Sequence, residues 1–224
     1  MILLLDIDGT LLRGHGVGRR AIHAVLDAHG TPFDTSDVPF GGKTDPQIFG
    51  ELIDAMREAG LSPPLTAEQF ADAYHDEMLR TLPEARVEAL PGAVDLVRRL
   101  DGEVPLGLLT GNIEPMGYAK VARIGLGRTE LPFGAFGSDA ADRDALPAIA
   151  ATRASEHLGR EVAHSELVIV GDTPRDIQCA RAVGATCVAV ATGHYAASEL
   201  READIVLDSL EAFSLDAVAD CVRA

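Results

Sequence analysis

Aromatic side chains are scarce in this sequence: its 224 residues contain no tryptophan, and aromatic residues make up 4% of the total. Hydrophobic residues still make up 47%, so the chain can bury a core built from leucine, valine, isoleucine and alanine. The length fits one large domain or a core with a smaller inserted unit.

Positive charge is also in short supply. The chain has 19 lysines and arginines against 35 acidic residues, a formal net charge of −16, and no basic run. This balance excludes proteins that bind nucleic acid or an anionic membrane surface through a basic patch. It would also repel an anionic substrate, unless a metal ion or local basic side chains reverse the field at the site.

Cysteines and long apolar runs are few. The three cysteines are odd in number and lack metal-ligand spacing, which is typical of small buried or surface residues in a reducing cytosol (Cys179, Cys187 and Cys221). The apolar start is interrupted at Asp6, so we predict neither a signal peptide nor a membrane span. We therefore expect a soluble, cytoplasmic protein.

The stretch most suggestive of chemistry is residues 2–12, where four apolar residues run directly into Asp6-Ile7-Asp8-Gly9-Thr10. The pattern predicts a buried strand that ends in a polar site. Side chains alternate along a strand, so Asp6 and Asp8 leave on one face while Ile7 returns to the core. A charged nucleophile beside a protonatable acid suits phosphoryl transfer through an aspartyl-phosphate. The alternative is a plain strand end with an Asx-type turn.

Residues 15–86 carry only helical patterns. We predict helices over about 19–29, 45–59 and 66–82, the last opened by a capping box from Thr66 to Gln69. No strand pattern interrupts this segment.

From residue 90 onward, apolar strands alternate with helices. We predict strands near 104–109, 167–170, 186–191 and 205–207, a short strand or loop at 132–137, and helices near 93–100, 114–124, 144–158, 174–183 and the C-terminus. This order predicts an α/β fold: a Rossmann-like parallel sheet covered by helices on both faces. The core then comprises residues 1–14 and 87–224, and residues 15–86 form an all-helical insert after the first strand.

Polar groups follow three of these strands: Asp6 and Asp8, then Thr110-Gly111-Asn112, then Gly171-Asp172 with Asp176. The carboxyl ends of parallel strands meet at one edge of a sheet, so we expect these groups to converge. Asp172 and Asp176 have a simpler alternative, since acids at a helix N-terminus are stabilising without a metal.

The motifs and their order resemble those of the haloacid dehalogenase-like (HAD) phosphohydrolases. The resemblance implies that Asp6 is the nucleophile, that Asp8 is the general acid and base, and that Thr110 binds the phosphoryl group. Further phosphoryl contacts would come from Gly9, Thr10, Gly111 and Asn112. The same resemblance implies Mg²⁺ held by Asp6, Asp172 and the backbone carbonyl of Asp8, with Asp176 binding directly or through water.

The third family motif is normally a lysine, and here the sequence departs from the pattern. Arg143 is the only basic residue between Arg128 and Arg153, and we assign it this role. A solvated surface charge is the simpler interpretation of Arg143. Lys120 is the rival, if its helix directs it toward the strand ends.

The helical insert corresponds to the family's cap between the first and second motifs. Its Gly41-Gly42-Lys43-Thr44-Asp45 segment resembles a cap loop of phosphoglycolate-phosphatase-like members. Lys43 and Thr44, at a helix N-terminus, suit an anionic substrate tail. An ordinary helix cap beside a surface lysine is the alternative.

We therefore expect a Mg²⁺-dependent phosphomonoesterase of small organic phosphates. 2-Phosphoglycolate is the first choice by resemblance, followed by sugar phosphates and nucleoside monophosphates. In the family, haloalkanoic dehalogenation proceeds without the second acid and without metal, so Asp8 argues against that activity. A sugar-phosphate mutase and a non-catalytic phosphate-binding protein remain as alternatives, and oligomeric state cannot be read from the sequence.

Overall fold

The computed structural model describes residues 1–223. The strands are β1 (Ile2–Leu5), β2 (Leu12–Arg13), β3 (Glu88–Ala89), β4 (Leu106–Thr110), β5 (Phe133–Phe136), β6 (Leu167–Gly171), β7 (Thr186–Val190) and β8 (Ile205–Leu207). The helices are α1 (Val17–Ala28), α2 (Asp45–Glu58), α3 (Ala67–Thr81), α4 (Ala93–Leu100), α5 (Glu114–Ala122), α6 (Leu146–Leu158), α7 (Pro174–Val183) and α8 (Leu215–Arg223).

Six of the strands form one parallel sheet in the order β5-β4-β1-β6-β7-β8. Both faces of the sheet are covered, which explains why its strands are nearly continuous apolar runs. Along β1, Leu3 and Leu5 enter the hydrophobic cluster on one face, while Ile2 and Leu4 enter the cluster on the other. The α/β fold with a Rossmann-like parallel sheet is confirmed.

The topological switch point of the sheet lies at β1, where the order of strand addition reverses. The chain adds β4 and β5 on one side of β1, then crosses to place β6, β7 and β8 on the other side. Ligands of open α/β sheets bind at such switch points, beyond the carboxyl ends of the strands. The ends of β1, β4 and β6 are therefore brought together, although residues 6, 110 and 171 are far apart along the chain.

Helices α1, α2 and α3 lie between β2 and β3 in the chain and share a hydrophobic cluster that includes Phe49, Phe70 and Met78. Ile113 and Met116, beside and within α5, join the same cluster, so this insert packs on the sheet domain. At the two ends of the insert, β2 and β3 pair as a short antiparallel ribbon.

Several element boundaries differ from the sequence prediction by one to three residues. The helix predicted from residue 144 starts as a short 3₁₀ turn, Arg143–Ala145, and becomes α-helical at Leu146, with Pro147 in the first turn where its missing N–H costs nothing. The segment near 132–137 is a buried strand. No helix within residues 1–223 is both long and apolar enough to cross a lipid bilayer.

Candidate active site

Asp6 and Asp8 follow β1 directly and lie at the edge of the sheet. Asp6 is 5% exposed, and its backbone N–H donates to the Val170 carbonyl of β6 (2.9 Å). Ile7 is fully buried in the core, and Asp8 is exposed to the cavity in front of the sheet. Gly9 follows with a φ of 93°, and a Cβ here would overlap the Asp172 carboxylate. Only glycine lets the first motif and the end of β6 approach this closely.

The turn from β6 into α7 supplies two more acids. Thr173 caps α7: the Thr173 backbone N–H (2.9 Å) and hydroxyl (2.7 Å) both donate to Asp176 Oδ2. The Thr10 hydroxyl donates to Asp172 Oδ1 (3.2 Å), so Thr10 orients this carboxylate. Thr173 was not among the predicted site residues, although its spacing of three from Asp176 is that of a capping box.

Three carboxylates meet here: Asp6, Asp172 and Asp176 each offer an oxygen, and these oxygens all lie within 4.8 Å of one another. Burial raises the pKa of Asp6 to about 6, an effect that Arg143 partly opposes. Burial and then the charges of Asp176 and Asp6 raise the pKa of Asp172 to about 8. Buried acids at this density need more positive charge than one arginine provides. Their hard oxygen donors therefore fit a small divalent cation.

Arg143 is the arginine in this cluster, and it is 4% exposed. Its guanidinium pairs with Asp176, lies 3.4 Å from Asp6 Oδ1, and donates to the Gly42 carbonyl of the insert (3.3 Å). Its Nε is the one fully buried side-chain nitrogen or oxygen without a hydrogen-bond partner among residues 1–223. Arg143 thus has a donor left over at a site that already holds three acids.

Lys120 is also in the site. Its ammonium donates to Asp8 Oδ2 (2.6 Å) and to Asn112 Oδ1 (2.6 Å). The Asn112 amide donates to Asp8 Oδ2 (2.8 Å) and to the Thr110 hydroxyl oxygen (2.8 Å). The sequence presented Arg143 and Lys120 as rivals for one role, whereas the structure brings both to the site and pairs each with a different acid of the first motif.

The insert reaches the same place through residues 42–45. The Thr44 hydroxyl donates to the Ala141 carbonyl (2.6 Å), and the Asp45 backbone N–H donates to the Gly111 carbonyl (2.7 Å). A Cβ on Gly111 would overlap the Lys43 carbonyl oxygen. The second motif and the insert loop are therefore in direct backbone contact.

The sequence contains two lysines, Lys43 and Lys120, and both are buried in this region. Lys43 pairs with Glu51 of α2, whose other oxygen accepts from Gln47 (3.0 Å). The ammonium predicted to bind a substrate tail thus already has a carboxylate partner.

A cavity of about 920 Å³ opens between the sheet edge and the insert. The sheet side contributes Asp6, Asp8, Thr110, Lys120, Arg143 and Asp172. The insert side contributes Arg19, Phe40, Lys43, Asp45, Ile48 and Tyr74. Sequence reasoning did not single out Tyr74, because it lies four residues from both Phe70 and Met78 and is indistinguishable there from an ordinary core aromatic.

Comparison with known proteins gives matches along the whole chain. A family model described as HAD-hydrolase-like matches residues 143–213. The validoxylamine A 7'-phosphate phosphatase of Streptomyces hygroscopicus subsp. limoneus is 30% identical over 93% of both chains. The fructose-1-phosphate phosphatase YqaB of Escherichia coli strain K12 is 29% identical over 55% of this chain and 63% of that protein. The crystal structure of CbbY from Rhodobacter sphaeroides, in complex with phosphate, superposes with a TM-score of 0.77 at 21% identity, covering 95% of this chain and 96% of that one.

Proposed function

Because this chain belongs to the HAD-like hydrolase family and is a phosphatase, we propose that it hydrolyses the phosphate monoester of a small hydroxylated compound, such as a sugar phosphate, through an aspartyl-phosphate on Asp6. The observation that carries this proposal is the meeting of Asp6, Asp172, Asp176 and Arg143 at the switch point of the sheet, beside the separate pair of Asp8 and Lys120. The curated relatives, named for a validoxylamine phosphate and a fructose phosphate, support the substrate class.

In the first step, an Asp6 carboxylate oxygen attacks the phosphorus and the ester P–O bond breaks. Asp8 gives its proton to the departing alkoxide oxygen, which leaves as an alcohol. Water then attacks the phosphorus of the aspartyl-phosphate, Asp8 accepts its proton, and inorganic phosphate leaves a regenerated Asp6. Asp8 is well placed for both proton transfers because Lys120 and Asn112 fix its side chain in front of the sheet.

The phosphoryl oxygens have several donors available. The Thr110 hydroxyl oxygen accepts from Asn112 and keeps its own proton free to donate to the phosphoryl group. The Gly9 backbone N–H donates to the Leu12 carbonyl (2.9 Å) and the Asn112 N–H donates to the Thr110 hydroxyl oxygen (3.4 Å), so the Gly111 N–H is the backbone donor that we propose for the phosphoryl group. Arg143 lines the cavity, and its charge would offset that of the phosphoryl group.

Mg²⁺ is the cation we propose for the acidic cluster. Asp6, Asp172 and Asp176 would hold it, with the backbone carbonyl of Asp8 as a further ligand. When bound, the ion would offset the negative charge of the phosphate and of the carboxylates. Without it, the net charge of −16 would oppose the binding of an anionic substrate.

A screen of phosphate esters in Mg²⁺ and in excess chelator tests the proposal. We expect free phosphate from one or more sugar phosphates in Mg²⁺ and none in chelator. The folded Asp6→Asn variant should release no phosphate, because the covalent route is closed. Phosphate release by Asp6→Asn, or full activity in chelator, would refute the mechanism, and formation of an isomeric sugar phosphate in place of free phosphate would indicate a mutase.

A further inference from the structure

The cavity is larger than a phosphoryl group requires. Its volume of about 920 Å³ is near the upper end of the roughly 300–1,000 Å³ that is typical of small-molecule sites. The phosphoryl group would be bound at the sheet edge, so most of the remaining volume faces α1, α2 and α3. The residues of these helices must contact the alcohol part of the substrate.

Tyr74 of α3 places a hydroxyl in this wall. The residue is 2% exposed, its ring packs edge-on against Phe49 at a centroid distance of 5.2 Å, and its hydroxyl lies beside Gly18 of α1. The hydroxyl makes no hydrogen bond to any residue within 1–223. The hydroxyl borders the cavity and is not among the fully buried polar atoms, so a ligand can reach it and form the hydrogen bond that no described protein group makes. Burial raises the pKa of Tyr74 well above its ordinary value, so its hydroxyl stays protonated and can donate a hydrogen bond.

Asp45, the first residue of α2, lies in the same wall. Its Oδ2 accepts from the Ile113 backbone N–H (3.0 Å), and its Oδ1 accepts from no residue that the structure describes. Tyr74 and Asp45 both line the cavity, so one ligand can meet both groups. Asp45 can therefore accept a hydrogen bond from a ligand, and Tyr74 can donate one or accept one.

The basic side chains around the cavity already have partners. Lys43 pairs with Glu51, and Arg13 donates to the Thr192 carbonyl (2.7 Å). Arg19 donates to the Thr35 hydroxyl (2.9 Å) and lies over the Phe40 ring at 3.8 Å. Within residues 1–223, every lysine and arginine lining the cavity has an acceptor: Arg13, Arg19, Lys43, Lys120 and Arg143. A second anionic group on the substrate would meet the Asp45 carboxylate, and it could bind Arg13 or Arg19 only by competing with the neutral oxygens that these side chains already contact.

We propose that Tyr74 and Asp45 form a subsite for the hydroxyl groups of an uncharged leaving group. The enzyme then prefers a polyhydroxylated monophosphate to a bisphosphate or to a phosphate ester that carries a carboxylate, such as 2-phosphoglycolate. This inference rests on the proposed phosphatase function and names its substrate class. It differs from the sequence-based expectation that Lys43 binds an anionic tail.

The first test compares Tyr74→Phe with Tyr118→Phe, which loses a hydroxyl that donates to the Leu131 carbonyl (3.0 Å) in the sheet domain. The readout is the kcat/KM for fructose 1-phosphate divided by that for para-nitrophenyl phosphate, which has no hydroxyls on its leaving group. We expect Tyr74→Phe to lower this ratio about three- to tenfold, the effect of one neutral hydrogen bond. Tyr118→Phe should keep the wild-type ratio. An unchanged ratio in Tyr74→Phe would overturn the subsite.

The second test addresses charge. Wild type should hydrolyse fructose 1-phosphate with a higher kcat/KM than fructose 1,6-bisphosphate or 2-phosphoglycolate. In Asp45→Asn, the ratio of kcat/KM for fructose 1-phosphate to that for fructose 1,6-bisphosphate should be smaller than in wild type. Wild-type preference for the bisphosphate or for 2-phosphoglycolate would contradict the proposal.

A third measurement separates failure of the subsite from failure of the phosphatase proposal. If wild type releases no phosphate in Mg²⁺ from para-nitrophenyl phosphate or from any sugar phosphate in the screen, the phosphatase function itself fails. The binding of fructose 1-phosphate is then compared by calorimetry in Asp6→Asn and in Asp6→Asn/Tyr74→Phe. A three- to tenfold weaker affinity in the double variant supports the subsite, and equal affinities refute it.

Discussion

The two acids of the first motif have different cationic partners: Asp6 lies beside Arg143, and Asp8 pairs with Lys120. Arg143 has a planar fork of donors, which contacts Asp6, Asp176 and the Gly42 carbonyl at once. Lys120 is a compact charge that contacts Asp8 and Asn112. Asp6, the proposed nucleophile, and Asp8, the proposed proton-transfer group, therefore have separate cationic partners, so a substitution at one cation should leave the other acid with its partner.

Substitution of Arg143 should affect both folding and activity. Arg143→Ala leaves buried carboxylates unpaired, and removing one member of a buried ion pair costs roughly 3–5 kcal/mol of unfolding free energy. We expect phosphate binding and turnover to fall as well, with Arg143→Lys recovering part of each. Denaturant unfolding in chelator and steady-state kinetics in Mg²⁺ measure the two effects. Arg160→Ala, which breaks an exposed pair with Glu166, is the control and should change both much less.

Lys120 should act on turnover more than on substrate binding. Lys120→Met keeps an apolar chain of similar size but removes the charged donor to Asp8, worth about 1.5–3 kcal/mol for a hydrogen bond to a charged group. We expect kcat to fall about tenfold or more while KM changes little, with partial rescue by Lys120→Arg. If Lys120→Met keeps the wild-type kcat, the residue contributes to packing alone.

Some site residues could be placed from sequence and others could not. Asp6, Thr110 and Asp172 each follow an apolar strand, and strand ends meet by a rule of topology. The position of Lys120 depends on how α5 packs between the sheet, where Val121 is buried, and the insert, where Met116 is buried, and only the fold decides this. The contact made by the Tyr74 hydroxyl cannot be predicted from sequence for a related reason. The helical spacing of Tyr74 with its apolar neighbours is the same whether the hydroxyl borders a cavity or meets a protein acceptor.

At the level of elements, the strands were predicted well because their apolar runs end abruptly in polar residues. Leu167–Gly171 differs from the predicted strand by one residue, and Ile205–Leu207 is identical to it. The ribbon of β2 and β3 was not predicted, since two-residue strands give no periodic signal. Its strands flank the insert, so it couples the insert to the end of β1.

The backbone contact between Gly111 of the second motif and Lys43 of the insert should be disrupted by adding one methyl group at Gly111. Gly111→Ala places a Cβ against the Lys43 carbonyl, which is backbone and cannot rotate away. We expect the insert to be displaced from the sheet edge and kcat/KM to fall about tenfold or more, as misplacement of catalytic groups by about 1 Å can cost still more. Gly127→Ala has open space around the added carbon and serves as the control. Equal kinetics for the two variants would show that this contact does not matter for activity.

Across the whole molecule, the stability of the metal-free protein should depend on the acidic cluster. The pKa of Asp172 is raised from 3.8 to about 8, so the folded state holds this proton more tightly than the unfolded state. The resulting stabilisation is complete below the unfolded pKa and is lost as the pH rises from about 4 to about 8. The proposed divalent cation would bind the ionised cluster, so it should restore stability mostly at the upper end of this range.

Thermal unfolding in Mg²⁺ and in chelator, at pH 5 and at pH 8, measures this effect. We expect the increase in Tm on adding Mg²⁺ to be larger at pH 8. Using the difference between the two conditions cancels the contributions of acids elsewhere in the protein. A shift of the same size at both pH values would show that the cluster does not govern metal binding.

The confinement of lysine to the cavity walls has a consequence for covalent chemistry. Acetylation or any other acyl transfer to a lysine side chain can take place only at Lys43 or Lys120, because the chain has no other lysine. Both ammonium groups are buried against acids, Glu51 and Asp8, so each must leave its carboxylate and lose a proton before it can react. The rate of lysine acylation in the native protein therefore measures how often these two ion pairs separate.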